Sequence, residues 1–203
     1  QRMVKAQVWQ VQVGRSLLYL LDTDIIENDV DDQQITAQLY SGDPHKQLAQ
    51  EILLGVGGVR MLQALGIEPA IYLLNDVHAA FALLELARFE LEQMGGTLED
   101  VTPYVCDRTL FTTHTPVPTG QVFSLAMMDD YFVDYWPRLG LDRAEFFALG
   151  AQSSNPDVFS MTALALQLTR SANAVSKRHG EVSRQLWQNQ YAKRSEKQDA
   201  IGY

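Results

Sequence analysis

The chain has 203 residues, 46% hydrophobic and 20% charged, an ordinary globular composition long enough for one sizeable core or two small ones, which excludes wholesale disorder. Its 16 Lys and Arg face 25 Asp and Glu, a net charge of -9, so its long-range field repels phosphate backbones and argues against nucleic acid as a partner. The single cysteine, Cys106, cannot close an internal disulfide and fits a reducing, cytoplasmic setting, and no apolar run approaches the roughly 20 residues that a membrane span requires.

The opening Gln1-Arg2-Met3-Val4-Lys5 lacks the apolar core of a secretory signal, so the missing initiator suggests a chain that is cut or processed. Residues 6–13 partly alternate, with Trp9, Val11 and Val13 on one face, and Gly14-Arg15 turns the chain into the apolar run Leu17–Leu21. This predicts a hairpin whose second strand is buried on both faces. The acidic stretch from Asp22 to Gln34 reads as a surface loop with at most one helical turn, and its acidic residues lack the glycine and terminal Glu of a calcium loop. Asp43-Pro44 is a helix start, Leu48, Ile52, Val56, Val59 and Leu62 form an apolar stripe, and Gly66 ends it. Within that stripe, Gly55-Val56-Gly57-Gly58 looks like a phosphate-binding loop but sits in a helical pattern rather than between strand and helix, so close packing against another backbone explains it better.

A short strand is expected over 70–74, then the turn Asn75-Asp76-Val77-His78 and a helix over 79–92. Gly95-Gly96 and an acidic connector lead to a strand over 108–113 and on into His114-Thr115-Pro116-Val117-Pro118. Helical patterns come next over 124–135, 143–149, 160–173 and 177–187, and Ala200-Ile201-Gly202-Tyr203 resembles the entry to a further strand. Strands alternating with helices predict an α/β fold, a Rossmann-like parallel sheet with right-handed connections.

In such a sheet ligands bind beyond the carboxyl ends of the strands. Two strand-end turns hold histidine: Asn75, Asp76 and His78 offer an amide, a carboxylate and an imidazole, and Thr112-Thr113-His114-Thr115 offers hydroxyls and a second imidazole, with Pro116 and Pro118 stiffening the backbone after them. Together they suit a polyol such as a sugar. For the first turn alone, Asp76 as a helix cap and His78 as a packing residue are equal alternatives. No histidine has a short-spaced metal-binding partner, so no metal is expected. Nothing matches a Gly-x-Ser-x-Gly elbow, Cys106 reads as core, and Met127-Met128 with Tyr131, Phe132, Tyr135 and Trp136 reads as packing.

The sequence resembles the glycogen/α-glucan phosphorylase family, in particular its short bacterial branch. The resemblance rests on Leu20-Leu21-Asp22-Thr23-Asp24, Leu39-Tyr40-Ser41-Gly42-Asp43, Glu51-Ile52-Leu53-Leu54-Gly55-Val56-Gly57-Gly58-Val59-Arg60, Asn75-Asp76-Val77-His78-Ala79-Ala80-Phe81, Thr112-Thr113-His114-Thr115-Pro116-Val117-Pro118, Met161–Leu166 and Val175–Arg184, in family order. It implies two Rossmann-like lobes of the GT-B glycosyltransferase type facing a cleft, with residues 1–203 forming the later part of the N-terminal lobe. It further implies phosphorolysis of a terminal α-1,4-glucan link by inorganic phosphate, assisted by pyridoxal phosphate and releasing glucose 1-phosphate. By the same resemblance His114 contacts the glucosyl unit at the cleavage site, and Asn75, Asp76, His78 and Thr115 line the adjacent pocket.

The family's cofactor lysine lies outside the matched segments, and none of Lys5, Lys46, Lys177, Lys193 or Lys197 fits its motif, so the isolated chain is expected to be inactive without the missing phosphorylase segments. Gln34, Gln47 and Gln167 stand where that family commonly has arginine, exchanging fixed charge for amides. The alternative is a noncatalytic phosphorylase-derived structural or interaction subunit bound to other proteins. A nucleotide-sugar glycosyltransferase of the same two-lobed type is less well supported by the motifs.

Overall fold

A computed structural model describes residues 3–39, 42–115, 121–152 and 155–191. Gly14, at φ +59, turns β1 (Gln7–Val13) into β2 (Ser16–Asp22), an antiparallel hairpin with Trp9 opposite Leu20 and Val11 opposite Leu18. The pairing matches the expected pattern but the burial does not. Leu17, Leu18 and Leu20 are 46%, 48% and 50% exposed, because the described elements leave most of the hairpin uncovered, the π turn meeting β2 near Leu21. The acidic stretch holds one helical turn, α1 (Val30–Gln33), as expected.

Asp43 accepts a hydrogen bond from the His45 backbone N–H at 2.9 Å and starts α2 (Pro44–Ile52). The chain then widens into a π turn over Leu53–Gly57 and continues as α3 (Gly58–Ala64), after which Gly66 takes φ +65. Of the three glycines only Gly55 packs against another backbone, as the sequence suggests; Gly57 meets the Leu53 and Leu21 side chains, and Gly58 has open space around it. A Cβ on Gly55 would lie 2.7 Å from the Ala82 backbone nitrogen and 2.9 Å from the Phe81 Cβ, so only glycine permits this approach.

Next come β3 (Tyr72–Asn75), a 3-10 turn over Val77–Ala79, α4 (Phe81–Met94), α5 (Leu98–Asp107) and β4 (Thr109–Thr113). Where a connector was expected there is helix α5, opened by a reciprocal cap between Thr97 and Asp100. The remaining elements are β5 (Val122–Ser124), α6 (Leu125–Phe132), α7 (Arg143–Leu149), β6 (Ala151–Gln152), β7 (Asn155–Ser160), α8 (Met161–Leu168), β8 (Ser171–Ala174) and α9 (Lys177–Tyr191). A single helix over 160–173 is corrected to α8 and then a strand: Thr169 is already extended, and β8 pairs with β4. The turn through Pro116 and Pro118 and the apolar pattern over 200–203 lie outside the described residues.

Strands β3, β4 and β8 form a parallel sheet with β4 central, Asn75 beside Thr112 and Thr113 beside Ala174. A second sheet, β5-β7-β6, is antiparallel and was not anticipated. The fold is thus mixed α/β around a Rossmann-like parallel sheet. Phe81, Phe132, Phe146 and Phe159 stack through the core with neighbouring centroids 4.9 to 6.4 Å apart. Met128, Phe132 and Trp136 are buried, and so is Cys106, matching their assignment to packing.

Helix α4 is buried all round from Phe81 to Ala87, including Glu85. The Glu85 carboxylate accepts from Arg60 at 2.8 and 3.1 Å, from Arg88 at 2.6 and 2.9 Å, and from the Tyr135 hydroxyl at 2.7 Å. Burial pushes its pKa up, but the bonds from Arg60, Arg88 and Tyr135 outweigh burial and hold it below the ordinary value.

Gly55→Ala should cost about 1–3 kcal/mol through overpacking. Gly58→Ala should gain up to about 1 kcal/mol, because Gly58 is helical and nothing lies within 4 Å of its added Cβ. Denaturant unfolding of both variants measures the opposite signs. Because the folded pKa of Glu85 is depressed, its stabilisation is present above the unfolded carboxyl value and lost as pH falls through the folded one. Glu85→Gln should therefore destabilise the protein at neutral pH, and the difference from wild type should shrink in acid, as seen by midpoint shifts across a pH series.

Candidate functional site

The parallel sheet sends the carboxyl ends of β3, β4 and β8 to one side, where polar side chains tie the strands together. Thr112 donates from Oγ1 to Asn173 Oδ1 at 2.9 Å, joining β4 to β8. The Thr115 hydroxyl donates to the Asp76 carboxylate at 3.3 and 3.5 Å, joining the residues beyond β4 to those beyond β3.

Asp76 has φ 66 and ψ -174, and among the described residues no other non-glycine has positive φ. That region belongs almost entirely to glycine and costs an ordinary residue about 1–3 kcal/mol. The Asp76 backbone N–H donates to the Thr112 carbonyl at 2.8 Å, extending the β3–β4 pairing and holding the residue there. Asp76 does not cap the 3-10 turn with its side chain; its carboxylate is committed to Thr115.

Each sequence-predicted site residue has a definite position. Asn75 is the last residue of β3, not part of the turn, and its side chain is exposed. His114 comes immediately after β4 and is exposed. Thr115 and Asp76 are half-buried and in contact. His78 stands in the 3-10 turn, its side chain 41% exposed, with Nδ1 3.1 Å from Glu51 Oε1.

Glu51 was missed in the sequence. Its only signal is an acidic residue interrupting the apolar stripe of α2 between Leu48 and Ile52, and its side chain is 3% exposed. Burial raises its pKa, opposed by the bond to His78 and by the Gln47 amide. The His78 imidazole is raised in turn, chiefly by the Glu51 bond, against the opposing effect of burial. Thr112 belongs to the strand-end cluster legible in the sequence, whereas its partner Asn173 carries no sequence signal, because residues 171–174 read as helix rather than as β8.

Both Glu51 and His78 line a groove of about 580 Å³ that runs between β2 and β3 over the π turn, with Leu20, Leu54 and Leu73 among its apolar walls. Among the described residues no lysine lines this groove. Lys5 and Lys177 are exposed and Lys46 is half-exposed, so none of these lysines offers the enclosed amine that pyridoxal phosphate requires. The described residues do not fit that cofactor. Among them there is also no cluster of three or more His, Cys, Asp or Glu suited to a metal ion, and no helix long and apolar enough to cross a membrane.

Asp76→Gly should raise unfolding stability by about 1 kcal/mol as the strained backbone relaxes, partly offset by glycine's greater freedom when unfolded. Thermal or denaturant unfolding tests it, and a loss of several kcal/mol would show that the Thr115 bond dominates instead.

No protein-family model matches the chain. It is 41% identical over 189 residues to the maltodextrin phosphorylase of Thermococcus litoralis, covering 93% of this chain and 22% of that protein. It is 38% identical over 203 residues to the glycogen phosphorylase of Mycobacterium tuberculosis, covering 93% of this chain and 23% of that protein. A third relative, the glycogen phosphorylase of Aquifex aeolicus, is 35% identical over 198 residues, covering 97% of this chain and 28% of the relative. The chain therefore spans roughly a quarter of the length of these curated relatives, and over almost all of its own length it is homologous to a segment of the maltodextrin and glycogen phosphorylases.

Proposed function

We propose that residues 1–203 form the later part of the N-terminal lobe of a two-lobed, cytoplasmic α-glucan phosphorylase of the GT-B type, supplying the glucan side of its active site. The observation that carries this reading is the 41% identity to a maltodextrin phosphorylase across 93% of the chain. A polar ledge at the sheet's carboxyl edge supports it, since that is where an α/β fold holds ligands. The substrates are an α-1,4-glucan and inorganic phosphate. A phosphate oxygen bonds to C1 of the terminal glucosyl residue, the C1–O4 bond breaks, O4 takes a proton, and glucose 1-phosphate leaves with a shortened glucan.

In this reading His114 lies against the glucosyl unit, its carbonyl or imidazole holding a hydroxyl or the positive charge that grows as the glycosidic bond lengthens. Asn75 gives and takes hydrogen bonds with sugar hydroxyls, Asp76 accepts from them beside Thr115, and His78 offers its free ring nitrogen. Pyridoxal phosphate of the complete enzyme is assigned to segments other than these residues, and none of the roles above passes through it. Trp9, Leu17, Leu18 and Leu20 on the hairpin are about half exposed, which supports burial against further phosphorylase segments or another subunit.

Native mass spectrometry of the polypeptide purified from its source should find a mass several times that of this chain, with bound pyridoxal phosphate. In that protein His114→Ala should lower phosphate-dependent release of glucose 1-phosphate from maltoheptaose by about 100-fold or more. Stability should stay within about 0.5 kcal/mol, as expected for an exposed side chain. Equal loss of stability and turnover would return His114 to a structural role. A polypeptide of this chain's own mass, free of cofactor and bound to unrelated subunits, would instead establish a noncatalytic subunit.

A further inference from the structure

We infer that Glu51 is a positioning residue that fixes the tautomer and orientation of His78, so that the imidazole presents Nε2 as a hydrogen-bond acceptor for a glucan hydroxyl. This rests on the reading that His78 lines the glucan pocket. An ionised carboxylate can only accept, so the 3.1 Å contact between Glu51 Oε1 and His78 Nδ1 requires the hydrogen on Nδ1. The Glu51 bond raises the pKa of His78, so the state that accepts is the neutral ring above that pKa, in which Nε2 is left with a lone pair. Nε2 makes no hydrogen bond among the described residues, on a side chain that is 41% exposed and lines the groove. It is therefore available to a ligand that donates, which a sugar hydroxyl does.

Stability does not explain Glu51. Its side chain is 3% exposed, and among the described residues its second oxygen, Oε2, is buried without a hydrogen-bond partner. A half-satisfied buried carboxylate is a poorer packing unit than an apolar residue of similar volume. The π turn explains how it reaches His78. Gly55 lies four residues after Glu51, and its missing Cβ lets the π turn rest on Phe81 and Ala82, just beyond the 3-10 turn that carries His78. The same close approach that requires glycine thus brings the carboxylate to the imidazole.

A thermodynamic cycle in the full polypeptide tests the inference, with maltoheptaose binding measured by calorimetry for wild type, Glu51→Leu, His78→Asn and the double variant. Glu51→Leu should fold at least as stably as wild type yet bind maltoheptaose about tenfold more weakly, the order of one hydrogen bond. On the His78→Asn background the same change should have no further effect, and Glu51→Gln, which retains an acceptor, should recover most of the affinity. Equal weakening by Glu51→Leu on both backgrounds would overturn the inference. Histidine-selective 15N spectra provide a readout independent of glucan: His78 should be the Nδ1–H tautomer in wild type and a mixture in Glu51→Leu. If His78→Asn leaves binding unchanged, the glucan-pocket reading fails. An unchanged tautomer in Glu51→Leu would by itself overturn the positioning role.

Discussion

The close crossing of the π turn over the start of α4 governs how the rest of the molecule is arranged. Gly55 comes so near Phe81 and Ala82 that a methyl group would collide with their backbone and Cβ atoms. The π turn and α5 together enclose α4 from Phe81 through Ala87, and the residues just before the crossing on each segment, Glu51 and His78, lie 3.1 Å apart. Loosening the crossing would thus disturb the core and the candidate site together. Packing energy and site geometry depend here on the same atoms.

Two buried glutamates respond to that enclosure in opposite directions. Glu85 has two arginines and a tyrosine hydroxyl around it, enough donors to overcome the loss of water and keep the carboxyl acidic. Glu51 has His78 and the Gln47 amide opposing its burial, and burial prevails. Fully bonded buried charge joins helices, as Glu85 does for α3, α4 and the segment after α6. An incompletely bonded buried carboxylate such as Glu51 contributes little to packing. Asp76 has a glycine-like backbone that is held by the sheet while its carboxylate meets Thr115.

Much of the fold was readable because local chemistry and tertiary environment agreed. Asp43-Pro44 started its helix, Gly66 ended it, and Gly14 turned the hairpin, each through a backbone requirement that belongs to one or two residues. Misreadings arose where the deciding partner was distant. Residues 171–174 look like the end of an apolar helix, but hydrogen bonding along β4 draws them into the sheet. The exposed face of β2 reads as core, since leucines carry no mark of what covers them. By contrast, α5 carries a capping signature at Thr97 and Asp100 that is local and legible in the sequence.

For the site, the sequence by itself determined which side chains stand at the ends of β3 and β4, because an alternating pattern of strands and helices puts the residues after each strand on one edge. It also determined the likeness to phosphorylases, which is carried by ordered local motifs and is independent of geometry. Only the tertiary structure decided that Asp76 pairs with Thr115, that Thr112 reaches Asn173, and that a glutamate from α2 meets His78. These contacts join residues 27 to 61 positions apart. Hydrogen bonds across such separations depend on how helices and strands are stacked, and local periodicity has no bearing on that.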